Sequence, residues 1–185
     1  MSAGCLAVSI ETGTMTFDEF EKLADPPAGH YELHHGQLVL MPPRKKLHVK
    51  IQQALLDRLA PLLRGLGFIT NELPFRPAPE YESRVADIGF VVHERWDNDH
   101  NDYFLGAPDI VIEVLSQSNT MDEILDRQDI CFANGCIAFW TVDPKRQTIL
   151  VTTPDRRTVT FGRDEVVPLP EPYLGTIEVA AIFFP

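Results

Sequence analysis

The stretch APDIVIEVLSQS, residues 107–118, decides the fold, because it sets an acidic residue inside an apolar run. Glu113 is flanked by Ile110, Val111 and Ile112 on one side and by Val114 on the other. A short run rich in β-branched residues predicts a strand that is buried on both faces. A carboxylate there must be paired, bind a metal or give up its charge. Glu113 is therefore the first candidate for a functional residue.

The composition is that of a globular protein with an ordinary core. The chain has 185 residues, 44% of them hydrophobic and 23% charged, which predicts one domain over residues 1–185. It has no apolar run of about 18 residues, and the mildly apolar stretch Met1–Ile10 lacks a basic leader and a full-length apolar core, so we expect neither a membrane span nor a signal peptide. Cys5, Cys131 and Cys136 form no CxxC pair and fit free thiols in a reducing cytoplasm.

The charge restricts how the protein could meet nucleic acid. The formal net charge of −11 makes the surface as a whole repel phosphate. One segment, RKKLHVK, runs against this trend at the start of a predicted helix, where the helix dipole also favours anions. Its cations offer a contact to a phosphate backbone, and the alternative is a solvated charged turn. The candidate residues are Arg44, Lys45, Lys46, His48 and Lys50.

The order of the predicted elements indicates a mixed α/β fold. A capping box at Thr16 and Glu19 opens a short helix near residues 17–24, and a hairpin follows around His35-Gly36. A helix then follows over HVKIQQALLDRLAPLLRGLG, in which Pro61 is expected to kink or end the last turn, and Gly65 and Gly67 end the segment. Two strands, a polar loop over 93–103 and the strand of Glu113 come next. A second long helix over 121–134, a strand and a hairpin around residues 154–155 complete the pattern. The C-terminal tail fits either a helix or a strand.

Two acids compete to be the partner of Glu113. Asp109 lies four residues away on the same strand, about 13 Å at roughly 3.3 Å per residue, which is too far for both carboxylates to bind one Mg²⁺. Asp87 lies in the apolar strand RVADIGFVV, and adjacent strands are only about 4.8 Å apart. We therefore expect Asp87 and Glu113 to form a metal pair and Asp109 to be a strand-entry or turn residue. The alternative for each acid is a position at an exposed strand edge or a cap on a neighbouring loop.

Several segments, in order, resemble those of the Uma-type putative restriction endonucleases, within the PD-(D/E)XK nuclease superfamily. They include YELHHGQLVLMPP, VADIGFVV, PDIVIEVLSQS and FANGCIAFWTVDP, and the resemblance runs from about residue 14 to residue 184. It implies a restriction-endonuclease-like fold, in which a central mixed sheet is flanked by helices. It also implies a metal-dependent endonuclease that hydrolyses DNA with Mg²⁺ or Mn²⁺.

The resemblance assigns roles to named residues. Asp87 and Glu113 match the metal-binding acids, and the carbonyl of Val114 completes such a site in the superfamily. The superfamily's lysine falls on Leu115 here. Related proteins carry this lysine on the following helix, four residues before an aromatic, and Gln128 holds that place. Arg127 could supply the missing charge, but it points about 100° away from Gln128 on a helix.

Two further family positions are present. Glu32 matches a frequent acid, as a third metal-site carboxylate, and its alternative is an exposed hairpin acid. His48 could contact a phosphate or orient Glu32, and its alternative is a surface residue at a helix N-terminus. The resemblance favours a nuclease, with a homodimer as the form that cuts both strands. The alternative is an inactive descendant that binds nucleic acid or another protein.

Overall fold

The computed structural model describes residues 13–99, 101–116 and 119–183. The predictions for the first ten residues, including Cys5, lie outside these ranges. The elements, in chain order, are α1 Phe17–Phe20, β1 His30–His34, β2 Gln37–Met41, α2 Lys46–Leu63, β3 Gly67–Arg76, β4 Arg84–Val92, α3 His93–Trp96, β5 Phe104–Leu105, β6 Ile110–Val114, α4 Met121–Ala133, β7 Ala138–Asp143, β8 Thr148–Thr152, β9 Thr158–Phe161, β10 Val166–Pro168, β11 Thr176–Glu178 and α5 Ala180–Phe183.

A seven-stranded mixed sheet forms the centre of the molecule. Its strand order is β5-β3-β4-β6-β7-β8-β9, with β6–β7 and β3–β5 parallel and the other neighbours antiparallel. The hairpins β1–β2 and β10–β11 form two small separate sheets. The predicted α/β fold, a central mixed sheet flanked by helices, is confirmed. No helix among the described residues is long and apolar enough to cross a bilayer.

Local sequence signals account for most element ends. His35 and Gly36 both have positive φ, 52° and 75°, as a two-residue hairpin turn requires. Capping boxes open α1 and α4, and Thr120 accepts a hydrogen bond from the backbone N–H of Glu123. The structure differs from the prediction at α1, which ends at Phe20, and in the 93–103 loop, which begins with the short helix α3.

Helix α2 and the C-terminal tail show where burial outweighs local propensity. Pro61 was expected to kink or end α2, yet the helix continues to Leu63 because Leu59 and Leu63 are fully buried against the sheet. The ambiguous tail is both strand and helix, since β11 pairs with β10 and α5 packs on α2.

Two hydrophobic clusters cover the two faces of the sheet. Along β3 and β4, the apolar side chains pass from one cluster to the other at the same point of both strands. On β4, Ile88 packs in the cluster with α2, whereas Ala86 packs in the other cluster. On β3, Ile69 packs against the first cluster and Leu73 belongs to the second. In a regular strand, residues two or four apart lie on one face. The regular alternation of side chains between the two faces is therefore interrupted in both strands beside Asp87.

Candidate metal-binding and active site

Asp87 and Glu113 lie on neighbouring strands, as the sequence predicted. In the antiparallel pair β4–β6, Ile88 is opposite Ile112, so extending the register by one residue aligns Asp87 with Glu113. The Oδ2 atom of Asp87 accepts a hydrogen bond of 2.7 Å from the backbone N–H of Val114. The side chain of Asp87 thus links the two strands at the point where the described pairing ends.

The other oxygen of Asp87 faces helix α2 and the residues before it. Asp87 Oδ1 accepts hydrogen bonds from His48 Nε2 at 2.9 Å and Gln52 Nε2 at 3.2 Å, and Arg44 Nη2 lies 3.1 Å from it. Asp87 is only 2% exposed. Three donors thus compensate the buried carboxylate of Asp87. The side chain of His48 is only 11% exposed, so the alternative that His48 is a surface residue is wrong.

Glu72 joins this group, although no role for it was predicted from the sequence. It is the β3 residue opposite Asp87 in register, and it adopts a left-handed φ of 50°. Its Oε1 lies 3.2 Å from Arg44 Nε and also accepts from Gln52. His48, Glu72 and Asp87 each offer a ligand atom within 4.8 Å of the other two, and no other such group of three occurs among the described residues. The only sequence signal was the polar pair Asn71-Glu72 inside an apolar strand.

Arg127 is the cation that α4 brings to the carboxylates. Its Nη1 donates to Glu113 Oε1 at 2.9 Å and to the carbonyl of Val85 at 3.0 Å, and its Nη2 donates to Glu32 Oε2 at 2.5 Å. Gln128 was predicted to lie beside the acids in this position. Its side chain instead points towards Thr152, and the amide nitrogen of Gln128 lies 3.5 Å from Thr152 Oγ1. The expectation that Arg127 points away from the site is therefore wrong.

Glu32 is fully buried, so the exposed-acid alternative is wrong. Besides Arg127, it is contacted by His34 Nε2 at 2.7 Å, His30 Nε2 at 3.5 Å and the backbone N–H of Val85 at 3.3 Å. Burial alone would raise the pKa of Glu32, but Arg127 and the two histidines hold it well below its ordinary value. Glu32 is thus an ionised partner that fixes Arg127. A direct role as a third metal ligand stays a prediction.

The surroundings of Glu113 disfavour the ionised form of its carboxyl group. Burial, together with Asp87 and Glu32, raises the pKa of Glu113 to about 8, although Arg127 acts in the opposite direction. Arg127 itself stays charged, because Glu113 and Glu32 outweigh its burial and raise its pKa. Next along the sheet, Thr141 of β7 is aligned with Glu113, and its buried hydroxyl has no hydrogen-bond partner in the described structure. The carboxylate of Glu113, which Arg127 contacts at Oε1, and the hydroxyl of Thr141 together offer oxygen atoms to a cation.

The basic segment before α2 is divided by the fold. Arg44 and His48 turn inwards to Asp87, whereas Lys45, Lys46 and Lys50 are exposed. Lys46 is the first residue of α2, so the three lysines surround a helix N-terminus. These three lysines are therefore the part of the basic segment that faces solvent.

Asp109 is a strand-entry residue, as predicted. It lies directly before β6, where its Oδ2 accepts from the backbone N–H of Val92 at 3.0 Å. Its Oδ1 forms an ion pair with Arg95 at 3.1 Å. The PD dipeptide therefore supports the backbone and not the row of acids at Asp87 and Glu113.

Comparisons with known proteins agree with this fold. The sequence profile of the Uma2 family, described as putative restriction endonuclease, matches residues 17–181. A crystal structure described as a putative nuclease belonging to DUF820, from Anabaena variabilis ATCC 29413, superposes with a TM-score of 0.76 at 24% identity, covering 91% of this chain and 97% of that one. No curated protein matches the chain. The chain belongs to the Uma2 family of putative restriction endonucleases.

Proposed function

We propose that the protein is a metal-dependent nuclease that hydrolyses phosphodiester bonds of DNA. The observation that carries the proposal is the alignment of Asp87 and Glu113 across β4 and β6, with Arg127 bound to Glu113. Metal-dependent phosphodiester hydrolysis uses ligands that hold the ion, and a fixed positive charge near the reacting phosphate stabilises its transition state. The family to which the chain belongs supports a nuclease, and DNA as substrate is part of the proposal.

Asp87, Glu113 and the carbonyl of Val114 would hold Mg²⁺ or Mn²⁺. Oxygen ligands of this kind suit both ions. The fit is supported by the unpartnered hydroxyl of Thr141, which is aligned with Glu113, and by the pKa of Glu113, which burial and the nearby carboxylates raise to about 8. When bound, such an ion would polarise the scissile phosphate and favour ionisation of a water.

Arg127 would supply the positive charge of the superfamily's lysine, whose position is taken by the apolar Leu115 in this chain. Its planar fork reaches Glu113 with one arm and Glu32 with the other, so its orientation is fixed before substrate binds. A cation held in this way can stabilise negative charge that develops on a phosphate. Gln128 could orient water or substrate, as the resemblance implies, only after its amide turns from Thr152.

The exposed lysines would contact the DNA backbone. Lys45, Lys46 and Lys50 lie together at the N-terminus of α2, where helix N–H groups also attract phosphate. In a chain of net charge −11, such local contacts must overcome general repulsion. Arg44 would contribute only on leaving Asp87 and Glu72.

A homodimer and a cytoplasmic location complete the proposal. Two active sites would allow both strands of a duplex to be cut in one encounter. The thiols of Cys131 and Cys136 are free and buried, which fits a reducing compartment. Sedimentation with and without a DNA duplex would show whether the dimer forms.

A second candidate function is a binding module without catalysis. It is favoured by the contacts of Asp87, both of whose oxygens are hydrogen-bonded within the protein, and by the orientation of Gln128 away from the acids. Such a site could be a relic in which arginines replaced the metal.

The deciding experiment is a cleavage assay on supercoiled, linear and single-stranded DNA with Mg²⁺ or Mn²⁺. The wild type is compared with Asp87→Asn and with Asp164→Asn, an exposed acid that serves as a matched control. Metal-dependent cleavage that Asp87→Asn lowers at least about 100-fold, with Asp164→Asn unchanged, supports the nuclease. Absence of cleavage by the folded wild type on every substrate supports the binding module.

A further inference from the structure

The two oxygens of Asp87 face different surroundings, and only one faces Glu113's strand. Oδ2 is bound by the backbone of Val114, on β6. Oδ1 faces His48 on α2 and Glu72 on β3, and ligand atoms of these three residues lie within 4.8 Å of one another. These residues come from three different elements. The group therefore shares Asp87 with the site proposed above, but its other ligands lie on the side of Asp87 that faces α2 and β3.

A cation already lies against two members of this group. The guanidinium of Arg44 places Nη2 at 3.1 Å from Asp87 Oδ1 and Nε at 3.2 Å from Glu72 Oε1. Arg44 comes from the segment before α2, outside the ligand group, and its side chain is 19% exposed. Two carboxylates thus converge on one positive group, which is tethered to the chain and partly exposed to solvent.

We propose that His48, Glu72 and Asp87 form a second divalent-cation site, which takes Mn²⁺ in preference to Mg²⁺ and for which Arg44 competes. An imidazole nitrogen beside two carboxylates is a mixed ligand set that suits a first-row transition ion, whereas Mg²⁺ prefers an all-oxygen shell. Any part that the site plays in catalysis rests on the nuclease function proposed above. Its occupancy by Mn²⁺ does not.

Arg44 sets the affinity of this site. Its charge repels an incoming Mn²⁺, and its hydrogen bonds to Asp87 and Glu72 must break before the ion can bind. Charges about 4 Å apart near a protein surface interact by several kcal/mol, so loss of Arg44 should strengthen binding by on the order of tenfold or more. The released guanidinium would then lie beside the exposed lysines, where it could contact phosphate.

The test measures Mn²⁺ bound to the metal-free protein, with electron spin-echo spectroscopy to detect ¹⁴N bonded to the ion. The wild type should show imidazole ¹⁴N coupling. His48→Asn should abolish it, whereas His93→Asn, a change at an exposed histidine of α3, should leave it intact. Glu72→Gln should weaken this site about tenfold or more, Arg44→Gln should strengthen it, and Mg²⁺ should compete poorly.

The result separates this site from the nuclease proposal. Bound Mn²⁺ without ¹⁴N coupling, or coupling that persists in folded His48→Asn, overturns the second site. Glu113→Gln should leave the ¹⁴N signal in place, since Glu113 is not a ligand here. Imidazole ¹⁴N coupling without DNA cleavage supports the second site and contradicts the nuclease proposal. Metal-dependent cleavage without this coupling supports the nuclease proposal and overturns the second site.

Discussion

Replacing Glu113 by glutamine should stabilise the metal-free protein in alkaline solution. In the folded protein, burial and the nearby carboxylates raise the pKa of Glu113 to about 8, against an ordinary value of 4.5. The unfolded chain can therefore ionise this residue at a pH where the folded chain keeps it protonated. The wild-type protein therefore loses stability as the pH rises from about 4.5 to about 8. The Glu113→Gln variant keeps that stability, because glutamine does not ionise.

The magnitude follows from the displacement of the pKa. At 1.36 kcal/mol per pH unit, the rise to about 8 corresponds to about 3–5 kcal/mol at pH 8 and above. The side chain is only 12% exposed, so solvent screening is small. In a chain of this size the gain for Glu113→Gln should raise the melting temperature by about 6–20 °C. The hydrogen bond from Arg127 persists, because the amide oxygen of glutamine also accepts.

The assay is thermal unfolding from pH 5 to pH 9 in the presence of a chelator. The difference between Glu113→Gln and the wild type should be near zero at pH 5 and should grow towards pH 8–9. Glu178→Gln, which removes an exposed acid, should give a pH-independent difference. A flat difference for Glu113→Gln, or one that turns unfavourable in alkali, would refute the reasoning and show that Arg127 keeps Glu113 ionised throughout.

Three other predictions concern Arg127, Glu32 and the exposed lysines at the start of α2. Arg127→Met should lower the free energy of unfolding by about 3–5 kcal/mol in urea, because it leaves Glu32 buried without its cation, and Arg127→Lys should cost less. Glu32→Gln should be less stable than the wild type at pH 7, and the deficit should shrink as the pH falls below 4.5, since the pKa of Glu32 is lowered in the folded state; a deficit that stays constant down to pH 2 would contradict this. Changing Lys45, Lys46 and Lys50 together to alanine should make the slope of log K for duplex DNA against log salt shallower by about 2–3, as measured by fluorescence anisotropy, and an unchanged slope would exclude these contacts.

The sequence allowed the strands and the alignment of Asp87 with Glu113 to be predicted, because apolar runs of strand length are local signals. The rotation of α4 could not be predicted in the same way. Its buried residues Ile124, Arg127 and Gln128 lie at helical spacing, so both polar residues belong to one buried face. Only the packing of α4 on the sheet decides that Arg127 meets Glu113 and that Gln128 meets Thr152.

The role of Glu72 depends on information that lies outside its own segment. Its approach to Asp87 requires the register of β3 on β4 and the left-handed φ that turns the strand. A non-glycine residue rarely adopts that conformation, and no local residue preference predicts it. Similarly, the inward turn of Arg44 reflects long-range pairing with Asp87, whereas a cationic segment alone predicts exposure.

The docking of the β1–β2 hairpin determines the order in which the charged centre can assemble. Arg127 meets Glu113 across only 14 residues, but it meets Glu32 across 95, so the second contact closes a far longer loop and should form later in folding. An isolated bridge between Leu33 and Ser83 links this hairpin to the chain near β4. Partial opening there would separate Glu32 from Arg127 without disturbing β6 or β7. Faster amide hydrogen exchange in the hairpin than in those central strands would reveal such opening, and equal protection would exclude it.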